Sequence, residues 1–216
     1  MKSPFAPYEA LAEVLLPQAG IGDDGAHDLA HLQRVWANAF AIARAEGGDG
    51  ELIAAGVLLH DCVAVEKNSP LRSQASRLAA ERAAGILSAM GWDAARVDAV
   101  RHIIETHSFS AAIQPQTTEA RVLQDADRLD AIGMIGVARC FYTAGRMGSA
   151  LYSPVDPRAE HRALDDRSFA LDHFRTKLLL LKEGFQTPTG QAMAAERTHR
   201  IAEFMVLFEE EIGALG

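Results

Sequence analysis

The chain has 216 residues, 49% of them hydrophobic, with 21 basic and 29 acidic side chains and a formal net charge of −8. Its length and apolar content allow one buried core, so a single domain is expected over 1–216, with core motifs in 27–133 and a helical extension in 168–212. The acidic balance excludes a general binder of long nucleic acids or of acidic membranes, and any anionic substrate must be met by a local basic patch.

The opening residues Met1-Lys2-Ser3-Pro4-Phe5 lack the apolar run of an export signal, and no stretch approaches the ~20 apolar residues that span a bilayer. A soluble cytoplasmic protein with no membrane partner is expected, and Cys62 and Cys140 are too few for a disulfide framework. Leu29, Leu32, Val35, Trp36, Ala39, Phe40 and Ala43 recur at steps of three and four, which predicts an amphipathic helix ending before Gly47-Gly48. From Glu51 to about Asp61 the chain is uniformly apolar and should form a buried central helix. Ser69-Pro70, with Ser73 as a rival cap, predicts the start of a third helix that stops at Gly91.

A fourth helix is expected from Asp93 to Thr106, followed by a polar segment to Gln116 that Pro115 keeps from continuing it. A fifth opens at Thr117-Thr118-Glu119 and carries an acidic motif toward Gly133, where glycines at 133, 136, 145 and 148 obscure its end. Ser153 to Asp166 reads as a loop, and helices resume at Ser168 to Lys182 and at Thr189 to about Ile212. Almost nothing alternates with period two, so the fold class is all-α, with about seven or eight helices.

Three segments carry metal-ligand side chains. His60 and Asp61 are adjacent, about 100° apart on a helix, so both reach one ion only from a helix end. Alone, the pair also fits a satisfied core histidine beside a helix-terminal carboxylate. His31 shares a polar strip with His27 and Arg34, and that strip fits either a solvent-facing surface or a separate His27–His31 site. In Asp125-Ala126-Asp127-Arg128-Leu129-Asp130, Asp127 and Asp130 share a side, so one can ligate while the other supports it. Apolar residues on both sides make three carboxylates costly unless a cation neutralises them.

His31-Leu32-Gln33-Arg34-Val35, Leu59-His60-Asp61 and Ala126-Asp127-Arg128-Leu129 resemble, in order, the three signatures of the HD-domain phosphohydrolases. The resemblance identifies His31, His60, Asp61 and Asp127 as four metal ligands. Asp127 rather than Asp125 is matched because the stringent-response nucleotide hydrolases of that superfamily carry a similar Ala-Asp-Arg-Leu segment. His27-Asp28, Lys67-Asn68-Ser69-Pro70, His107-Ser108-Phe109-Ser110 and Asp172-His173-Phe174 are further similar to a YedJ/YpgQ-like subgroup, over about residues 24 to 205. The resemblance implies an all-α fold of the HD type, a divalent cation with Mn2+ as first choice, and hydrolysis of a phosphate ester or anhydride. For the subgroup it implies release of pyrophosphate from a nucleoside or deoxynucleoside triphosphate. A nucleotide phosphomonoesterase, a phosphodiesterase and a non-catalytic nucleotide or metal sensor are the alternatives.

The cation would lower the pKa of a bound water, which attacks phosphorus, and Fe2+, Co2+, Ni2+, Zn2+ or Mg2+ would also suit mixed nitrogen and oxygen donors. Two ligating carboxylates cancel its charge, so Lys67, Arg72 and the start of the Ser69-Pro70 helix are expected to cradle phosphate, although both cations also fit an ordinary surface. Asp61, Lys67, His107 and Glu66 are the candidates for catalysis. His27, His107, His173 and Lys177 are candidates for substrate contact, and Asp28, Arg128 and Asp130 for support, with Arg128 expected to pair with Asp125 or another acid. A nucleophilic Cys62 beside His60 is disfavoured, since a metal-bound imidazole could not deprotonate it. The stripe Met205-Val206 to Phe208 suits either a monomer core or a homodimer contact.

Overall fold

The computed structural model describes residues 3–21, 28–65, 71–108 and 111–213. Regular structure among them is helical, as the three-and-four periodicity predicts, apart from one isolated bridge between Ala150 and Phe169. None of the described helices is long and apolar enough to cross a membrane. The chain forms two compact units, Met1–Asp127 and Arg128–Gly216.

In the first unit, α1 (Glu9–Leu15) precedes α2 (Leu29–Glu46), whose buried face is His31, Leu32, Val35, Trp36, Asn38, Ala39 and Ile42. Asp28 caps α2, its Oδ1 accepting the His31 N–H at 2.9 Å. Gly47, at φ 85°, ends the helix as the glycine pair predicts. The central helix α3 (Gly50–Leu59) is buried continuously from Ile53 and packs against α1, α2 and the later helices Ala75–Ala89 and Ala94–His107. Gly56 permits close packing against Ile103, since a Cβ there would lie 2.7 Å from Ile103 Cγ2.

The third predicted helix starts later than its Ser-Pro signal: Arg72–Gln74 is a 3-10 turn, and α4 runs from Ala75 to Ala89 without a side-chain cap. Residues 66–70 lie outside the described residues. Helix α5 (Ala94–His107) begins where Asp93 accepts the Arg96 N–H at 3.0 Å, and α6 (Thr118–Asp130) where Thr117 Oγ1 accepts from Ala120.

In the second unit α7 (Gly133–Met147) stands where glycines had hidden a helix. Each interior glycine lowers helix propensity by about 1 kcal/mol, but burial of Val137 and Ala144 and packing against the helix Pro188–Glu211 outweigh that. Gly133, at φ 71°, turns the chain between α6 and α7. The predicted helix over Ser168 to Lys182 is split into α8 (Ala170–Thr176) and a 3-10 segment, Leu178–Gly184, because Lys177 leaves the helical conformation. Helix α9 (Pro188–Glu211) opens at Pro188 with Thr187 as its cap. Its Phe204 and Phe208 stack in one cluster with Phe141 of α7 and Phe174 of α8.

The cap of α3 has a testable weight. Burial raises the Asp49 pKa, but hydrogen bonds from Leu52 N–H, the Arg96 guanidinium and Glu51 N–H outweigh it and hold the group below its ordinary 3.8. An acid with a depressed folded pKa stabilises above the unfolded value and loses that contribution as pH falls through the folded one. Asp49→Ala should therefore lower stability by about 1 kcal/mol at neutral pH. In urea melts the gap from wild type should stay constant above about pH 5 and close as the medium becomes more acid than the ordinary 3.8.

Candidate metal centre

Helix α3 ends at Leu59, so His60 is its C-cap and Asp61 already lies in the following turn. This is the helix end that an adjacent His-Asp pair needs in order to face one point. His31 occupies the first turn of α2, and Asp127 the last turn of α6.

The four side chains converge. His31 Nε2 and His60 Nε2 are 3.3 Å apart, and Asp127 Oδ1 lies 3.7 Å from the first and 3.8 Å from the second. Asp61 Oδ2 is 3.5 Å from His60 Nε2 and 4.0 Å from His31 Nε2. Ligands bound at ~2.1 Å to one ion, with angles between those of an octahedron and a tetrahedron, stand about 3.0–3.4 Å apart. The His31–His60 separation of 3.3 Å falls within that range and the other four, from 3.5 to 4.0 Å, exceed it, so the set is near the spacing that one cation needs. The donors are of mixed nitrogen and oxygen type, which suits a first-row divalent ion. Both imidazoles are buried, whereas the Asp61 and Asp127 side chains keep 40% and 28% of their exposure, so the cluster is open on its carboxylate side.

Backbone carbonyls set the histidine tautomers. His60 Nδ1 lies 2.8 Å from Val57 O, and His107 Nδ1 lies 2.6 Å from Ile104 O, each three residues back. A carbonyl only accepts, so each Nδ1 carries the proton and each Nε2 is left as a lone-pair donor. His107, the last residue of α5, brings Nε2 to 3.7 Å from Asp61 Oδ1, with its ring 4.9 Å from that of His60. The two Asp61 oxygens thus face different partners, Oδ2 toward His31 and His60 and Oδ1 toward His107. Two overlapping triads, His31-His60-Asp127 and His60-Asp61-His107, offer ligand atoms within 4.8 Å of one another. Burial pushes the His107 pKa down, neighbouring His60 adds to this, and Asp61, Asp127 and the Ile104 carbonyl oppose it. The net shift favours the neutral ring.

The other sequence candidates are distributed differently. His27, Glu66, Lys67 and Ser69-Pro70 lie outside the described residues, and Arg72 begins the 3-10 turn before α4. Asp28 is the cap of α2. Asp125 is fully buried, and Asp130 Oδ2 accepts from Arg139 Nη1 at 2.6 Å. The Arg128 guanidinium donates to the Gly184 carbonyl, a close approach that the missing Cβ allows. His102 Nε2 accepts the Gln116 N–H at 3.1 Å and so ties down the segment after α5.

In the second unit Asp172 receives Arg162 through both Nη1 and Nη2, at 2.5 and 2.8 Å, together with the Asp165 N–H. His173 Nδ1 is 3.1 Å from Asp166 Oδ2. Lys177 is exposed at the break after α8, so the common helix face expected for His173 and Lys177 ends at its second member. Sequence reading missed Asn38 and Gln124, two buried amides beside the cluster. Their signal was a polar residue at a core-facing helical position, which periodicity alone scores as an irregularity.

A model of the HD domain family matches residues 28–132. The chain is 32% identical over 194 residues to the Bacillus subtilis protein YpgQ, covering 88% of this chain and 86% of that one. The structure resembles that of Bacillus subtilis YpgQ in complex with ADP, with TM-score 0.72 and 30% identity over 93% of this chain and 96% of the other. It also resembles an HD-superfamily hydrolase from Bacillus thuringiensis, with TM-score 0.69 and 27% identity over 95% and 98% of the two chains.

Cys62, next to the His-Asp pair, is not an activated thiol. It is buried, its Sγ donates to Ala79 O, and burial pushes its pKa up to about 11; Cys140 is likewise pushed up to about 11. At pH 8 only about one thiol in a thousand would be ionised. Iodoacetamide should leave both cysteines unmodified in the native protein and label both in denaturant. Rapid native labelling of Cys62, read by mass spectrometry, would contradict this environment.

Proposed function

The chain belongs to the HD domain family and is a metal-dependent phosphohydrolase of it, and from that premise we propose that its substrate is a nucleotide, cut to release pyrophosphate from a nucleoside or deoxynucleoside triphosphate. The reading rests above all on the convergence of His31, His60, Asp61 and Asp127, from three separate segments, within common reach of one ion. The ADP complex of YpgQ supports a nucleotide over other phosphate compounds.

In this reading His31 and His60 hold the cation through Nε2, and Asp61 and Asp127 hold it through their carboxylates. Manganese is the first choice of metal. A bound divalent ion supplies polarisation of a phosphoryl oxygen and a water acidic enough to be ionised near neutral pH. The Val57 carbonyl keeps the proton of His60 on Nδ1 and its donor atom aimed at the ion. His107, fixed at Nδ1 and beside Asp61 Oδ1, is the group assigned to moving a proton at Nε2. Because two carboxylates cancel a divalent charge, substrate phosphates need further cations, and Lys67 and Arg72 are the nearest in sequence. Glu66 is the remaining acid close to the pair.

The deciding experiment incubates the protein and Mn2+ with a panel of nucleoside and deoxynucleoside triphosphates, mono- and diesters, and identifies the phosphorus product. Pyrophosphate is expected. Inorganic phosphate would mark a phosphomonoesterase, a nucleotide released without either would mark a phosphodiesterase, and tight binding with no product would mark a sensor. His60→Ala should abolish both Mn2+ binding by calorimetry and turnover, and retained turnover would overturn the proposed site. His107→Ala should lower kcat about 100-fold or more while leaving Mn2+ affinity within a few fold. A parallel loss of Mn2+ affinity would make His107 a ligand instead.

A further inference from the structure

Two buried amides on neighbouring helices grip α6 around Asp127. Asn38 lies seven residues after His31 on α2, two turns along the same face, and is buried. Its Nδ2 donates at 3.0 Å to the Ala126 carbonyl, which belongs to the peptide unit leading directly into Asp127. One helix face therefore presents His31 to the cluster and, two turns on, holds the backbone of a second cluster member. Gln124, one turn before Asp127 and also buried, sends Nε2 to Thr106 O at 2.6 Å, in the last turn of α5 beside His107.

That turn is itself held, since Thr106 Oγ1 bonds the His102 and Ile103 carbonyls and His107 Nδ1 bonds that of Ile104. Apolar contacts between helices are non-directional and resist sliding only weakly, whereas a buried amide–carbonyl bond has one geometry. Any slide of α6 along α2 or α5 would pull both buried donors off the geometry of their acceptors, leaving polar groups poorly satisfied in the interior. A metal site tolerates ligand displacements of only ~0.2 Å.

We infer that Asn38 and Gln124 are positioning residues, which set the register of α6 against α2 and α5 and thereby place the Asp127 carboxylate opposite His31, His60 and His107. The inference rests on reading the cluster as a cation site.

Co2+ reports on this arrangement, because its visible absorption depends on ligand number and geometry and is measured without turnover. Wild type should bind Co2+ with a defined d–d spectrum. Asn38→Ala should remain helical by circular dichroism while its Co2+ and Mn2+ dissociation constants rise about 10- to 100-fold and its d–d bands shift. Gln124→Ala should do the same to a comparable or smaller degree, and serves alone if the Asn38 variant does not fold. Ile42→Ala, a buried deletion one turn beyond Asn38 at a side chain with no hydrogen-bonding group, should lower the melting temperature and leave affinity and spectrum unchanged.

Amide variants that lose melting temperature but keep wild-type affinity and spectrum would overturn the positioning role and leave the cation site standing. An Ile42 variant with the same affinity loss would also overturn it, since general destabilisation would then suffice. Wild type that binds neither ion would instead refute the cation reading, and the inference with it.

Discussion

The hydrogen bond between an imidazole Nδ1 and the carbonyl three residues earlier governs the chemistry of the cluster. The last carbonyls of a helix have no intrahelical donor and must find one elsewhere. At the ends of α3 and α5 this need is met by histidine, through Val57 O with His60 and Ile104 O with His107. One contact thus closes a helix and selects a tautomer, and the tautomer leaves Nε2 as the atom that can bind a cation or accept a proton. Were the proton on Nε2, neither ring could serve in the same way.

Helix ends supply the other members as well. His31 lies in the first turn of α2, Asp127 in the last turn of α6, and Asp61 just beyond α3. Side chains at helix ends escape the strict angular spacing of a helix interior, so residues from separate segments can meet at one point. The buried helix α3, packed against its neighbours through Gly56, fixes where that point lies. Asn38 and Gln124 add directional bonds where apolar packing alone would leave α6 free to slide.

Buried acids of the second unit are neutralised differently. Asp172 receives Arg162 in a two-pronged contact, Asp130 pairs with Arg139, and Glu209 accepts from Arg175 with Arg158 nearby. Each of these carboxylates has a guanidinium supplied by the chain. Asp61 and Asp127 instead face imidazoles, Oδ2 of Asp61 and Oδ1 of Asp127 toward His31 and His60, and Oδ1 of Asp61 toward His107. Carboxylate oxygens and imidazole nitrogens gathered in this way could hold a metal ion.

Helix periodicity, capping residues and the His-Asp adjacency were local facts, and they were legible: α2, α3, α5 and α6 lie close to where their patterns put them, and Asp61 falls beyond a helix end as its neighbour required. Glycine-rich α7 escaped notice because propensity argued against a helix that burial against α9 stabilises. The break at Lys177 and the late start of α4 were hidden for a related reason, since local signals there compete with packing. The sequence by itself determined that candidate cation-holding side chains lie on helices or at helix ends. Only the tertiary structure decided that His107 joins them, that Asp61 divides its oxygens between two sets of imidazoles, and that Asn38 and Gln124 hold the frame, because those relations lie between helices whose relative register no local pattern encodes.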